Sequence, residues 1–208
     1  PLMEQVFVKK PDLITDAESF DRKLFILKSY ASHTINNTIK KGAIDFYMTS
    51  LSQNVIVYKG QLTSHQVRAY FPDLSDKRVV TAFGLVHSRF ATNTFPSWKL
   101  AQPFRYIAHN GEINTLQGNL NWLRSNESSF FSPYFSKEEL DMVLPVVTPG
   151  QSDSACLDNV IELLTLSGRS LPHVMMMLIP EAWDGNDLMD PVKKAFYDFH
   201  AAIMEAWD

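Results

Sequence analysis

Three short polar clusters carry residue types that acyl-transfer chemistry can use, and each sits where an apolar stretch ends or begins. The first, "HSRFATNTFPSW", places His87, Arg89 and Thr92 after a run of apolar residues. The second is Asn110-Gly111, after "YIAH". The third, Ser152-Asp153-Ser154, opens a helix-like pattern. Arg89 offers a planar guanidinium fork that matches a carboxylate, although a lone arginine also reads as a surface or ion-pairing residue. Asp153 offers a carboxylate to a cation, and a helix-capping or first-turn role accounts for it as well. Asn-Gly is a common turn dipeptide, yet an amide side chain beside an unshielded backbone N–H also forms a cradle for an oxyanion. Taken together the clusters describe a ligand with three handles: a carboxylate, an ammonium, and a carbonyl that becomes an oxyanion. An α-amino acid with an acyl group at its far end has them, and glutamine fits.

Other reactive residue types read as structural. Cys156 lies one helical turn into an apolar face, the pattern of a core residue rather than a nucleophile. His87 reads by itself as a satisfied interior histidine, and Met175-Met176-Met177 as packing. No pair of His or Cys residues has metal-ligand spacing, so no metal is expected.

The elements that must position the three clusters follow from periodicity. Gln5 to Lys9, "KLFILKSYA", "AIDFYMTSL" and "VVTAFGLVHSRF" read as strands, the last buried and central, and Tyr106 to His109 as another. Residues 43–62 read as a hairpin turning at Ser52-Gln53-Asn54, and Ser32 to Lys41 as helix or loop. Thr15 to Glu18 has the form of a capping box, and Thr63 caps a short helix ended by Pro72. Leu116, Leu120 and Leu123 predict a helix after Asn114. A further helix opens at Ser152 and closes at Gly168. Two more, around "LPHVMMMLIP" and "MDPVKKAFYDFHAAIMEAW", complete the pattern. Strict alternation of strand and helix is absent, which favours an antiparallel sheet with layered helices.

Bulk properties narrow the function classes. The chain has 208 residues, 45% hydrophobic and 20% charged, with net charge −4 and pI near 5.9, which argues against a nucleic-acid or membrane-surface role. It shows no signal-peptide pattern and no bilayer-spanning run. One cysteine excludes an internal disulfide framework and suits a reducing compartment, so the cytoplasm is expected. The opening "PLMEQVFVKK" and the closing "HAAIMEAWD" suggest a piece of a longer polypeptide.

The stretch "HSRFATNTFPSWKLAQPFRYIAHNGEINTLQGNLNWLRS" resembles, almost residue for residue, the glutaminase domains of the glutamate synthase family. These are class II glutamine amidotransferases of the N-terminal-nucleophile type. The likeness extends through "VYKGQLTSHQVRAYFPDLSD", "SDSACLDNVIELL", "GRSLPHVMMMLIPEAWDGN" and "FYDFHAAIMEAWD". It implies an α+β fold, a four-layer αββα sandwich of mostly antiparallel sheets with flanking helices, of which residues 1–208 are the middle and later portion, truncated at both ends. It implies that Arg89, helped by Thr92, holds the α-carboxylate of L-glutamine, that Asp153 binds the α-amino group, and that Asn110 and Gly111 form the oxyanion hole. The implied reaction is hydrolysis to glutamate and ammonia through the thioester of an N-terminal cysteine. This chain begins Pro1-Leu2 instead, so the piece is expected to be inactive alone. The family further implies FMN and a 3Fe-4S iron–sulfur cluster on other domains, the rest of the glutamate synthase chain and a small NADPH-oxidising subunit as partners, and a plastid location for plant-type enzymes. Two alternatives stand beside it: a degenerate amino-acid-binding or assembly module, and a related amidohydrolase acting on another acyl amide, against which the Arg89–Asp153 pairing argues.

Overall fold

The computed structural model describes residues 2–39, 46–90 and 95–208, and within them regular structure is helical. Helix α1 (Ala17–Thr38) opens at Asp16, whose carboxylate accepts a hydrogen bond from Ser19 N at 2.7 Å. The cap thus lies one residue beyond the expected Thr15 box. A carboxylate at that position serves as acceptor and also meets the positive end of the helix. Inside α1, Phe20, Leu24 and Lys28 are buried at four-residue spacing. That periodicity places "KLFILKSYA" in a helix, where burial on one face overrides the β preference of its residue types.

Helix α2 (Ser64–Tyr70) has the Thr63–Gln66 capping box and stops just before Pro72, as its sequence predicts. Helix α3 (Leu116–Asn126) follows Asn114 as expected. Helix α4 (Lys137–Val143) goes unnoticed in the sequence reading, although its Ser136–Glu139 capping box is visible there. Helix α5 (Asp153–Leu166) is capped by Ser152, which accepts from Ala155 N at 3.2 Å. Helices α6 (Leu171–Leu178) and α7 (Pro191–Ala201) also fall where predicted. Helix α5 is the centre of the molecule: α1 and α6 pack on it, α4 packs on α1, and α7 on α6. Ile161, Val174 and Leu178 are fully excluded from water, each contributing roughly 1.5–3 kcal/mol of transfer free energy.

A buried ionic group ties α1 and α5 to the segment that leads to the second polar cluster. Lys28 donates to both oxygens of Glu162. Arg105 lies 2.9 Å from Asp158 and 3.1 Å from Glu162, and Tyr106 N donates to Asp158 at 2.7 Å. Burial opposes the charged form of Glu162, but Arg105 and Lys28 outweigh it and hold the carboxyl below its ordinary range. The C-terminal residues are pinned from two sides. Trp207 N donates to Leu178 O at 2.8 Å, and Asp208 O accepts from Thr115 N at 3.0 Å.

The αββα sandwich, and with it the α+β reading, is not what the structure shows. Among the described residues no strand forms, and β pairing there is an isolated antiparallel bridge between Phe90 and Ala101. A strand needs a second backbone to take up its N–H and C=O groups. Among the described residues the run from Val79 pairs only through Phe90 at its end, so no ladder closes. Expected to be buried and central, it is instead mostly exposed, with Val80 at 86% and Val86 at 91%. Gln5 to Lys9 is likewise exposed and outside any strand, and Tyr106 to His109 is irregular although Ile107 is buried. Of the expected hairpin, residues 43–45 lie outside the described set and the remainder forms no strand. Its tip does bend, because the Asp21 carboxylate accepts from Ser52 Oγ and Gln53 N, both at 3.0 Å, and from the Asn54 amide.

Candidate functional site

Residues 87–90 and 102–111 meet across a cavity of about 400 Å³, lined by His87, Arg89, Phe90, Gln102, His109, Asn110 and Gly111. That volume suits a small organic ligand. The two walls are joined by the Phe90–Ala101 bridge and by the His87 side chain, and the second wall is braced within itself by Gln102. Gln102, buried, accepts from His109 N at 3.0 Å and donates to His109 O at 3.2 Å. Its amide thus satisfies both backbone groups of His109, as a neighbouring strand would. With His109 fixed, Asn110 and Gly111 fall at the cavity edge. A side chain at Gly111 would meet nothing nearer than His109 Nδ1 at 3.9 Å, so this stretch of backbone stands open.

The first wall is wired to the second through His87. Its Nε2 lies 3.0 Å from Asn110 Oδ1, and its Nδ1 accepts from Arg89 N at 3.0 Å. Arg89 and Asn110 are both exposed, which leaves their polar groups reachable from solvent.

Asp153 does not line the cavity. It is 2% exposed at the start of α5; Oδ1 accepts from Ser154 N at 2.6 Å and Ser154 Oγ at 3.0 Å, and Oδ2 from Ile113 N at 3.3 Å. Ser154 Oγ in turn lies 2.6 Å from His109 Nε2. Because the single Ser154 hydroxyl proton goes to Asp153, His109 Nε2 carries its own proton and donates it. Asp153, Ser154 and His109 therefore form a chain running from the core to the cavity wall. The structure thus brings Arg89, Asn110 and Gly111 to one cavity and sets Asp153 behind His109; Thr92 lies outside the described residues.

Two residues of this site escaped sequence reasoning. His109 stands beside the Asn-Gly pair and could have been taken with it. Gln102 had no signal, since a side chain that imitates a strand is recognisable only once the chain has folded. Cys156 is 1% exposed, and burial, then the Asp153 charge, push its thiol up to about 12, so it stays protonated. Lys59 is buried, donates to Lys99 O at 2.7 Å and sits 4.2 Å over the Phe104 ring. Burial, reinforced by the Arg105 charge, lowers its ammonium to about 7. Among the described residues no group of three or more His, Cys, Asp or Glu is placed to hold a metal, and no helix is long and apolar enough to cross a membrane.

Comparison with known proteins adds sequence kinship to this geometry. The family model described as "Glutamine amidotransferases class-II" matches residues 1–208. The large chain of NADPH glutamate synthase from Bacillus subtilis (strain 168) is 48% identical over 208 residues, 100% of this chain and 13% of that protein. The NADH glutamate synthase of Saccharomyces cerevisiae is 48% identical over 209 residues, 100% of this chain and 9% of its own length. Ferredoxin-dependent glutamate synthase 2, chloroplastic, of Arabidopsis thaliana is 42% identical over 213 residues, again 100% of this chain and 13% of the relative. The chain therefore spans 13% or less of each of these relatives.

Proposed function

The chain belongs to the class-II glutamine amidotransferases, and from that membership we propose that it is the glutamine-hydrolysing part of a glutamate synthase. The reading is supported most by the meeting of Arg89, Asn110 and Gly111 at one cavity of small-molecule size. L-Glutamine enters with its α-carboxylate on the Arg89 guanidinium, assisted by Thr92. Its side-chain carbonyl faces the Asn110 amide and the Gly111 N–H. A thiolate attacks the carbonyl carbon, the C=O electrons move to oxygen, and those two donors stabilise the oxyanion. Collapse breaks the C–N bond, a proton goes to the departing nitrogen as ammonia leaves, and water hydrolyses the thioester to glutamate. Donors set in advance around the developing charge cost no reorganisation in the step itself.

Cys156, buried and protonated, is not the attacking thiol, and it is the single cysteine in the sequence. The nucleophile is therefore supplied from outside these 208 residues, and the piece alone should not turn over glutamine. Asp153 is assigned to the α-ammonium, which requires the Ser154–His109 link between it and the cavity wall to open. The released ammonia goes to glutamate synthesis from 2-oxoglutarate. FMN, the iron–sulfur cluster and a small NADPH-oxidising subunit belong with other parts of the parent protein, in the cytoplasm or plastid.

The test compares L-glutamine with 4-aminobutanamide, which lacks the α-carboxylate, as substrates of the full-length protein. Hydrolysis of glutamine with little or none of the shorter amide is expected. Equal rates would favour the broader amidohydrolase reading, and binding of glutamine without release of ammonia would favour a non-catalytic binding module.

A further inference from the structure

We infer that His87 is the positioning residue that aims the Asn110 amide at the substrate oxyanion, an assignment that rests on the glutaminase reading. An asparagine side chain has a donor end and an acceptor end, and which one faces the ligand decides the sign of the interaction. With the NH₂ group toward a developing oxyanion Asn110 stabilises it; with Oδ1 there, Asn110 repels it. Some other group must therefore hold Oδ1 away. His87 Nε2 lies 3.0 Å from Asn110 Oδ1. The proton on Nε2 is fixed by what the other ring nitrogen meets. Arg89 N–H points at His87 Nδ1 across 3.0 Å, and a proton on Nδ1 would collide with it. The neutral ring therefore accepts at Nδ1 and carries its proton on Nε2, where it donates to Asn110 Oδ1. Nδ1 also lies 3.0 Å from Arg89 O, a contact that can carry a proton only where the Arg89 N–H bond to the same nitrogen is given up.

The same ring joins the carboxylate handle to the oxyanion handle, since one nitrogen meets the Arg89 backbone and the other the Asn110 side chain. The role assigned to His87 runs through its contacts with Asn110 Oδ1 and Arg89 N and needs no contact with the reacting carbonyl. Its contribution is to make one of two amide orientations the resting one, so its loss should act on kcat more than on KM.

The experiment uses the full-length protein and steady-state hydrolysis of L-glutamine. His87→Ala should lower kcat roughly ten- to a hundredfold, less than loss of the oxyanion donor itself, with KM little changed. His87→Gln, whose NH₂ reaches the Nε2 position, should recover most of that loss. His87→Asn, which reaches only the Nδ1 position, should behave like His87→Ala. Combined with Asn110→Ala, His87→Ala should cause no further loss, because the group it aims is gone. A Gln variant as impaired as the Ala variant, multiplicative losses in the double variant, or an effect confined to KM would overturn the assignment. Full activity of His87→Ala in a protein that hydrolyses glutamine overturns the assignment alone. Failure of the unsubstituted protein to hydrolyse glutamine overturns the glutaminase reading and this assignment with it.

Discussion

At the scale of single residues, site chemistry separates from packing by exposure and by what each polar atom already holds. Arg89 keeps an accessible guanidinium at the cavity, so Arg89→Ala in the full-length protein should raise the KM for glutamine at least about tenfold through loss of a charge-assisted, bidentate contact. Cys156 is the opposite case, a reactive residue type silenced by burial. Cys156→Ala should cost about 1 kcal/mol of stability, read by denaturant unfolding, and leave kcat unchanged. That Arg89 and the Asn110-Gly111 pair share one cavity was legible in the sequence, because their residue types are chemically specific and both clusters sit at the end of apolar runs. The Asp153–Ser154–His109 chain was not, since it links positions 45 residues apart that only tertiary structure brings within hydrogen-bonding distance.

At the scale of elements, most helices were legible, α4 and the middle of α1 excepted, whereas the expected strands do not form among the described residues, for one physical reason. A helix satisfies its backbone within its own sequence, so the Ser152 cap, the apolar spacing of α5 and the closing Gly168 are all local signals. A strand depends on a partner that the run itself does not specify, so "VVTAFGLVHSRF" reads as buried strand yet is irregular and mostly exposed. The local signals can be tested one at a time. Ser152→Ala removes the acceptor for Ala155 N and should cost about 1 kcal/mol. Gly168 has φ of +100°, and an added Cβ would fall 2.3 Å from the Tyr134 ring. Gly168→Ala should therefore be the costlier change, by more than about 1 kcal/mol, in the same unfolding measurement.

At the scale of the whole molecule, stability and activity draw on different charges. Lys59 is buried against Phe104 with its ammonium lowered to about 7. In the unfolded chain that amine stays protonated to about pH 10.4, so between these values folding releases a proton and stability rises with pH. Lys59→Met should raise Tm most below pH 7, where a charge must be buried, and the advantage should shrink as pH climbs toward 10; thermal unfolding at pH 6 and pH 9 reads this directly. The proposed glutamine hydrolysis is assigned to the cavity between residues 87–90 and 102–111. The proposed role of Asn110, stabilising an oxyanion formed on glutamine, is tested most directly by kcat for L-glutamine hydrolysis in the Asn110→Ala variant of the full-length protein. A fall of about two to three orders of magnitude at nearly constant KM is predicted. A wild-type kcat in that variant would contradict it and return Asn110 to the role of a turn residue.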